Sequence, residues 1–164
     1  MKSLAPPCYG WPCQLLTIFF ITSERITPEA TSDIEQIMSD YVDVWNGEFS
    51  KIDVVSESIS LYHPNAPDGG IHGREAFEAD IRGLHEGFPD HHLTIDAMLT
   101  DGELVMTEWT TTGTHEGEYN GVPPTGRELE LTGMTKTHIE DGNVQQDRLY
   151  YDRQEMFEQL GLTD

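Results

Sequence analysis

The spacing of apolar residues changes once along this chain, and the change restricts the folds that the chain can adopt. Before residue 90 the apolar residues recur every three or four positions, which is typical of one face of a helix. From His91 onward they alternate with polar residues, which is typical of strands. Helices followed by a run of antiparallel strands indicate the α+β class, with the helices packed on one face of a curved sheet.

Start and stop residues place the individual elements. The predicted helices run from Pro28, with Thr27 as N-cap, to Asn46-Gly47, from Phe49 to Val55, from Gly73 to Pro89, and from the N-cap Asp152 to Gly161. Strands are predicted over residues 92–99, 103–117, 128–139 and 143–151, with tight Asp-Gly turns at 101–102 and 141–142. Residues 61–70 are rich in Pro and Gly and are predicted to form a loop.

The chain is strongly acidic, with 30 acidic residues against 9 basic ones and a formal net charge of −21. The acids are scattered, which favours a solvated surface over a disordered tail. Such a surface repels itself in dilute buffer, whereas salt at 1 M shortens the range of the repulsion to about 3 Å. We therefore expect a protein of a high-salt cytoplasm, and an acidic partner-binding surface is the alternative. Nucleic-acid binding is disfavoured because no basic face is visible.

The first 23 residues differ from the rest in composition. They contain no acidic residue and both cysteines, Cys8 and Cys13. We expect a disordered extension or a misassigned translation start over residues 1–23, with a targeting segment as the alternative, and one domain over residues 24–164. The apolar run over residues 15–21 is too short to span a bilayer, so no membrane contact is expected. The domain has no cysteine, which excludes a disulfide framework and a thiol nucleophile there.

A set of short motifs occurs in a fixed order along the domain. They are Gly70-Ile71-His72-Gly73 with Ala76-Phe77, Phe88-Pro89-Asp90, Gly113-Thr114-His115 with Gly117, Gly121-Val122-Pro123-Pro124-Thr125-Gly126-Arg127, Asp141-Gly142-Asn143-Val144 and Gln159-Leu160-Gly161. In this order and spacing, from about residue 32 to 162, the chain resembles the SnoaL-like polyketide (ester) cyclases of the nuclear transport factor 2-like superfamily.

The resemblance implies a cone-shaped α+β barrel of the nuclear transport factor 2-like (cystatin-like) type. In such a barrel a strongly bent, mixed and mainly antiparallel sheet surrounds a pocket for a small-molecule ligand, and helices close the pocket. Family cyclases close a ring by intramolecular aldol condensation without a cofactor or a metal. We also expect a homodimer or higher homo-oligomer that forms through the sheet.

The chain departs from the family at the positions that carry the chemistry. In the family a carboxylate on the last strand serves as acid and base. Counted from the Asp-Gly turn, that aspartate falls on Leu149, and its inward histidine partner falls on Thr135. An asparagine of the family pocket falls on His63. Leucine has no proton to transfer, so the resemblance does not carry the acid/base set over intact.

Asp147 is the best candidate for a relocated acid/base. On a strand, residues 145, 147, 149 and 151 share one face, so Asp147 is expected to point inward with Leu149. A carboxylate in apolar surroundings is unfavourable unless it is paired or protonated. The alternative is a rim carboxylate paired with Arg148 or Arg127.

His63 is the second catalytic candidate, because histidine changes its charge near neutral pH. The alternative is a loop histidine with all of its hydrogen bonds satisfied. The candidate substrate-binding residues are Trp109, His115, Thr135, Leu149 and Tyr151. Trp109 is expected in the pocket wall, or else in the core without ligand contact, and His115 at the mouth of the cone. His72 and Asp152 are expected to be structural. No metal site is expected, because no spacing of ligands such as H-x-H occurs.

Two functions stay open for this sequence. The first is an enzyme for cofactor-free proton transfer on a small carbonyl compound or ester, as a cyclase, isomerase or dehydratase. The second is a module of the same fold that binds a small molecule without turning it over, and a structural role is a third option. Convergence of Asp147 and His63 in one cavity would favour the enzyme.

The charge pattern predicts that the fold depends on salt. Dialysis from molar KCl into dilute buffer should remove the near-UV circular dichroism of the aromatic side chains, because unscreened carboxylates repel one another. Full retention of the spectrum and of the free energy of unfolding at low salt would contradict the high-salt interpretation.

Overall fold

The computed structural model describes residues 28–162. Within them the chain forms α1 (Pro28–Trp45), a 3₁₀ helix (Phe49–Val54), β1 (Val55–Tyr62), β2 (Ile71–His72), α2 (Arg74–Gly87), β3 (His92–Asp101), β4 (Leu104–Thr114), β5 (Glu128–Glu140), β6 (Asn143–Tyr151) and α3 (Arg153–Leu160). These elements confirm the predicted helices and the four predicted strands, although β4 ends at Thr114 and not at residue 117. The predictions for residues 1–23 and for Thr27 lie outside the described residues.

The six strands form one sheet in the order β2-β1-β6-β5-β4-β3. Hairpins join β3 to β4, β4 to β5 and β5 to β6, and these pairs are antiparallel, as is the pair of β1 and β2. β1 instead lies parallel to β6, with Tyr62 opposite Arg148. The expected α+β class with a mixed, mainly antiparallel sheet is therefore confirmed.

The predicted loop over residues 61–70 is wrong at its start, because β1 extends to Tyr62. Neither β1 nor the short β2 was predicted. Only Val55, Ile59 and Leu61 of β1 are buried, and most of the residues between them are polar. The strand conformation of β1 depends on its pairing with β6 and on its cover by α2. Local periodicity contains neither contact, and strand formation follows such contacts more than intrinsic preference.

A bulge at Gln145 changes the inner face of β6. The residues on either side of it, Val144 and Gln146, pair with consecutive residues of β5 and leave Gln145 without an opposite residue. The expectation that residue 145 faces inward is therefore wrong, and Val144 is buried in its place. Beyond the bulge the alternation is regular, and residues 147, 149 and 151 face inward.

α1 and α2 cover the inner face of the sheet with aromatic side chains. The rings of Tyr41 and Phe77 stack with their centroids 5.9 Å apart, and Trp45 meets both rings edge-on. Ile81 of α2 is also fully buried in this cluster. No helix among residues 28–162 is long and apolar enough to cross a membrane.

α3 closes one end of the sheet. Asp152 is its N-cap, as expected, and accepts hydrogen bonds from the backbone N–H groups of Gln154 and Glu155. Met156 and Leu160 then pack in a second cluster with Phe88, Leu129 and Leu131. His72 is structural, as expected, because its ring contacts the hydroxyl of Ser60 at 3.0 Å and the carbonyl oxygen of Gly69 at 2.8 Å.

The outer face of the sheet exposes a few large apolar side chains. Met134 and Tyr150 are 50% and 54% exposed, and Leu99 near the β3–β4 turn is 77% exposed. Assembly of a homodimer or higher homo-oligomer through this face stays a prediction, as does the cytoplasmic location.

The contact between Gly133 and Trp109 predicts a strong effect of a single methyl group. A Cβ on Gly133 would overlap the indole of Trp109 and would lie 2.7 Å from the carbonyl oxygen of Tyr150. Gly133→Ala should therefore lower the free energy of unfolding by about 1–3 kcal/mol, which is typical of overpacking. Gly83→Ala on α2 is the control, because its Cβ meets nothing within 4 Å and alanine favours helix. Equal urea midpoints for Gly133→Ala and the wild type would refute this packing argument.

Candidate functional site

A cavity lies between the inner face of the sheet and the helices. It has a volume of about 100 Å³, which is room for a small organic molecule. Most of its lining residues are apolar or aromatic, and besides the three tyrosines Tyr41, Tyr119 and Tyr151 they are Met38, Val42, Trp45, Leu84, Phe88, Leu93, Ile95, Trp109, Leu129, Leu131, Leu149 and Met156. The cavity is therefore suited to a small and largely apolar organic molecule.

The depth of the cavity can be followed along β5 and β6. Thr137 lies opposite Asp147, and the next inward pair toward the mouth is Thr135 and Leu149. Asp147 and Thr137 are only 1% and 0% exposed, whereas Leu149 is half-buried. Asp147 and Thr137, together with Tyr41 of α1, form the deep end of the cavity, which we call the floor.

The carboxylate of Asp147 is held by two hydroxyl groups. The hydroxyl of Tyr41 donates to Oδ2 at 2.9 Å, and that of Thr137 donates to Oδ1 at 2.7 Å. Arg148 is exposed and places its guanidinium 4.1 Å from the centre of the Tyr62 ring. Asp147 is thus a buried inward-facing group, and the alternative of a rim carboxylate paired with an arginine is wrong.

Burial changes the protonation of the floor. It raises the pKa of Asp147 to about 7, because the charged carboxylate loses its solvation. The hydroxyl donors and the charge of nearby His63 act in the opposite direction and only limit the rise. Burial and the charge of Asp147 also raise the pKa of Tyr41 well above its usual value, so Tyr41 is a neutral donor. A carboxyl group that titrates near neutral pH can both accept and return a proton.

His63 lies in the same cavity, one residue beyond β1. Because Tyr62 pairs with Arg148 across the parallel strands, His63 comes beside Leu149. Its side chain is 6% exposed, and its Nε2 lies 3.3 Å from Oδ2 of Asp80 on α2. Asp147 and His63 therefore line one cavity, with His63 just beyond the end of β1 and one inward pair nearer the mouth.

Trp109 forms part of the cavity wall, as expected. Its Nε1 donates to the hydroxyl of Thr135 at 2.7 Å, and its ring meets that of Tyr151 edge-on. Thr135, Leu149 and Tyr151 line the cavity as well. Four of the five predicted substrate-binding residues thus face the same space.

His115 is the fifth, and the expectation that it lies at the mouth is wrong. It is fully buried outside the cavity wall, and its ring stacks on Phe88 with the centroids 5.0 Å apart. Its Nδ1 contacts the hydroxyl of Thr125 at 3.1 Å. Because β4 ends at Thr114, the chain turns before it reaches the mouth, and His115 instead holds the β4–β5 connection.

Several polar residues of the wall were not identified from the sequence, among them Tyr41, Asp80 and His91. Tyr41 looked like an ordinary core residue of α1, and Asp80 looked like one of many surface acids of a helix. His91 contacts the hydroxyl of Thr111 at 2.8 Å, and burial lowers its pKa to about 4, so its ring is neutral. Only the helix spacing that places Asp80 near the buried face of α2 could have pointed to it, because Phe77 and Ile81 flank it there.

The sequence profile of the SnoaL-like polyketide cyclases matches residues 35–160. The chain belongs to the SnoaL-like polyketide cyclase family. The resemblance of its motifs to that family is thus confirmed. No curated protein sequence matches this SnoaL-like chain significantly.

Solved structures share the fold of this SnoaL-like protein over most of its length. A candidate SnoaL-like polyketide cyclase from Jannaschia sp. CCS1 is 22% identical, with a TM-score of 0.73, and the match covers 84% of this chain and 97% of that one. TsrD from Streptomyces laurentii is 23% identical, with a TM-score of 0.71 and coverages of 80% and 97%. IdmH from Streptomyces antibioticus, a candidate polyketide cyclase, is 26% identical, with a TM-score of 0.65 and coverages of 77% and 97%. These matches confirm the nuclear transport factor 2-like fold.

Burial of Asp147 predicts an effect of pH on the stability of this SnoaL-like protein. Its folded-state pKa of about 7 lies above the ordinary value of 3.8, so the folded state binds more protons than the unfolded state between these two pH values. The free energy of unfolding contributed by this group should therefore fall as the pH rises from about 4 to 7. Asp147→Asn has no group that titrates at this position. Its free energy of unfolding should therefore rise relative to that of the wild type by about 1.4 kcal/mol per pH unit between pH 4 and 7.

Urea unfolding of the wild type and of Asp147→Asn at several pH values measures the difference between their free energies of unfolding. The contributions of all other carboxylates are the same in both proteins and cancel in this difference. A difference that stays constant between pH 4 and 7 would show that Asp147 titrates normally.

Proposed function

We propose that this SnoaL-like protein is a cofactor-free proton-transfer enzyme of the cyclase, isomerase or dehydratase type, with Asp147 as its base. The substrate is a small carbonyl compound or ester. The observation that supports this most directly is the buried carboxyl of Asp147 at the floor of an apolar cavity, with a pKa raised to about 7. A general base is most effective when its pKa lies near the working pH.

The proposed step begins with ionised Asp147 next to a carbon that adjoins a carbonyl group. The carboxylate takes a proton from this carbon. The electron pair of the C–H bond forms a C=C bond, and the π pair of the carbonyl group moves onto its oxygen, which gives an enolate. In a cyclase the enolate carbon then attacks a second carbonyl of the same molecule, and the new alkoxide takes the proton back from Asp147. In an isomerase the proton returns to a different carbon. Neither route needs an oxidant or a reductant.

The neighbours of Asp147 support this assignment. Tyr41 and Thr137 fix both carboxylate oxygens, so the base is held in one orientation before the substrate binds. His63 lies one inward pair nearer the mouth and can place an N–H group toward the oxygen that becomes charged. We assign His63 as the second catalytic residue on this basis.

The position of the base restricts the substrate. Asp147 precedes Leu149 by two residues on β6, which moves the base about 7 Å deeper than the position on which the family resemblance places it. The reacting carbon therefore belongs at a narrow end of the substrate that reaches the floor between Tyr41 and Thr137. Trp109, Thr135, Leu149 and Tyr151 then surround the part of the substrate nearer the mouth.

The second candidate function is a binding module without turnover. Leu149 favours it, because an apolar residue stands where the resemblance places the family's acid/base. The two functions differ in whether bound ligand exchanges protons.

Proton exchange on a model ketone tests the proposal. The protein should accelerate the exchange of the α-protons of 2-tetralone in D₂O, a reaction followed by NMR. Asp147→Asn should lower the exchange rate at least about 100-fold, because the amide keeps the shape and takes no proton. His63→Ala should lower it less, and Asp96→Asn, which alters an exposed carboxylate of β3, should leave it unchanged.

The pH profile supplies a second readout. Because the base must be ionised, the exchange rate should rise with pH and level off above about 7. If the wild type and Asp147→Asn bind 2-tetralone equally and neither exchanges it, the binding-module function is correct.

A further inference from the structure

A second group of polar side chains lines the cavity away from the floor. It consists of His63, Asn65, Asp80, Tyr119 and Tyr151, and we call it the polar cluster. Its members come from the loop after β1, from α2, from the β4–β5 connection and from the end of β6. Burial raises the pKa of Tyr119 to about 12, and the charge of Asp80 adds to the rise.

Two atoms of the polar cluster are buried and lack a hydrogen-bond partner. Within residues 28–162, neither Nε2 of His63 nor Oδ1 of Asn65 makes a hydrogen bond, although Asp80 lies 3.3 Å from the histidine. More than nine in ten buried polar groups in proteins are hydrogen-bonded, because an unmade bond is unfavourable. Unpartnered atoms in the wall of a cavity therefore indicate a polar group on the ligand.

The charges around the cavity restrict what this ligand group can be. Two carboxylates, Asp80 and Asp147, line the cavity, and no Lys or Arg of the described residues does. A carboxylate or phosphate on the ligand would meet the carboxylate of Asp80, and the one cation that could oppose it among the described lining residues, His63, already lies 3.3 Å from that carboxylate, which is unfavourable in an apolar site. An anionic ligand is therefore disfavoured.

The remaining polar groups are mixed in character. The hydroxyls of Tyr119 and Tyr151 can donate, as can a ring N–H of His63, whereas Oδ1 of Asn65 can only accept. A ligand carbonyl oxygen could accept from these donors, but it has no hydrogen to donate to Oδ1 of Asn65. A ligand hydroxyl can donate to Asn65 and at the same time accept from a tyrosine or from His63, so one small uncharged group satisfies both kinds of partner.

We propose that the polar cluster is a binding subsite for the hydroxyl group of an uncharged ring compound. At His63 the subsite adjoins Leu149, which stands two residues beyond Asp147 on β6. The placement of the reacting carbon of the same compound at Asp147 rests on the proposed function, whereas recognition of the hydroxyl does not.

Three matched ligands test the subsite by isothermal titration calorimetry of the full chain at pH 6. They are 2-tetralone, 6-hydroxy-2-tetralone and 6-carboxy-2-tetralone, which differ only in one substituent. The hydroxyl compound should bind about tenfold more tightly than 2-tetralone, the equivalent of about one buried hydrogen bond. It should also bind at least about tenfold more tightly than the charged carboxyl compound.

Two variants assign the preference to the polar cluster. Asn65→Leu should reduce the advantage of the hydroxyl compound over 2-tetralone to less than about threefold, because the acceptor of the hydroxyl proton is lost. Asp80→Asn removes a negative charge and should strengthen binding of the carboxyl compound about tenfold. Asp147→Asn should leave the hydroxyl advantage intact, because the floor is not part of the subsite.

Equal binding of 6-hydroxy-2-tetralone and 2-tetralone to the wild type would overturn the proposal, as would tightest binding of the carboxyl compound. An unchanged hydroxyl advantage in folded Asn65→Leu would overturn it too. If Asn65→Leu does not fold, Asp80→Asn decides between the outcomes. Unchanged binding of the carboxyl compound to Asp80→Asn would then overturn the proposal. A hydroxyl preference without proton exchange on 2-tetralone would support the subsite and refute the proposed enzyme, so the two failures are distinguishable.

Discussion

One buried carboxylate connects the fold to the site. Asp147 joins α1 to the sheet through Tyr41 and joins β6 to β5 through Thr137, so the bond from Tyr41 forms only when the helix is docked. A buried charge is unfavourable, and here the hydroxyl donors and the neutral form of the acid below a pH of about 7 reduce that cost. The same contacts orient the group that we assign as the base. Stability and the proposed chemistry therefore make opposite demands on one side chain, as is common at functional sites.

The cavity exists because the fold packs two separate clusters. One cluster lies around Tyr41, Trp45 and Phe77 under α1 and α2, and the other joins α3 to Phe88 and Leu129. Members of both clusters line the space between them. The walls are thus held in place from both ends, and the space stays open although each cluster is densely packed. This arrangement explains how a chain of this size can retain a pocket and still have a core.

The period of two along a strand explains how the acid can stand at a different position from the one that the family resemblance implies. A shift by two residues, from 149 to 147, keeps the side chain on the inner face and changes only its depth. A shift by one residue would have turned the carboxylate to the outer face. His63 reaches the neighbourhood of Leu149 by a different route, because parallel pairing of β1 with β6 brings the two residues side by side. A titratable group is therefore present at both depths of the cavity, Asp147 on β6 and His63 just beyond the end of β1.

The sequence by itself determined the α+β class, the helices and four of the six strands, because these follow from local spacing and turn residues. The inward direction of Asp147 followed from strand alternation together with the family resemblance at Leu149. Only the tertiary structure decided the pairing of β1 with β6, the bulge at Gln145, the burial of His115 and the approach of Asp80 to His63. Spacing along the chain reports which side of an element is apolar, and it contains no information on which distant element covers that side. The candidate acid could thus be predicted from one strand, whereas its hydrogen-bond donors and the polar cluster arise from elements far apart in sequence.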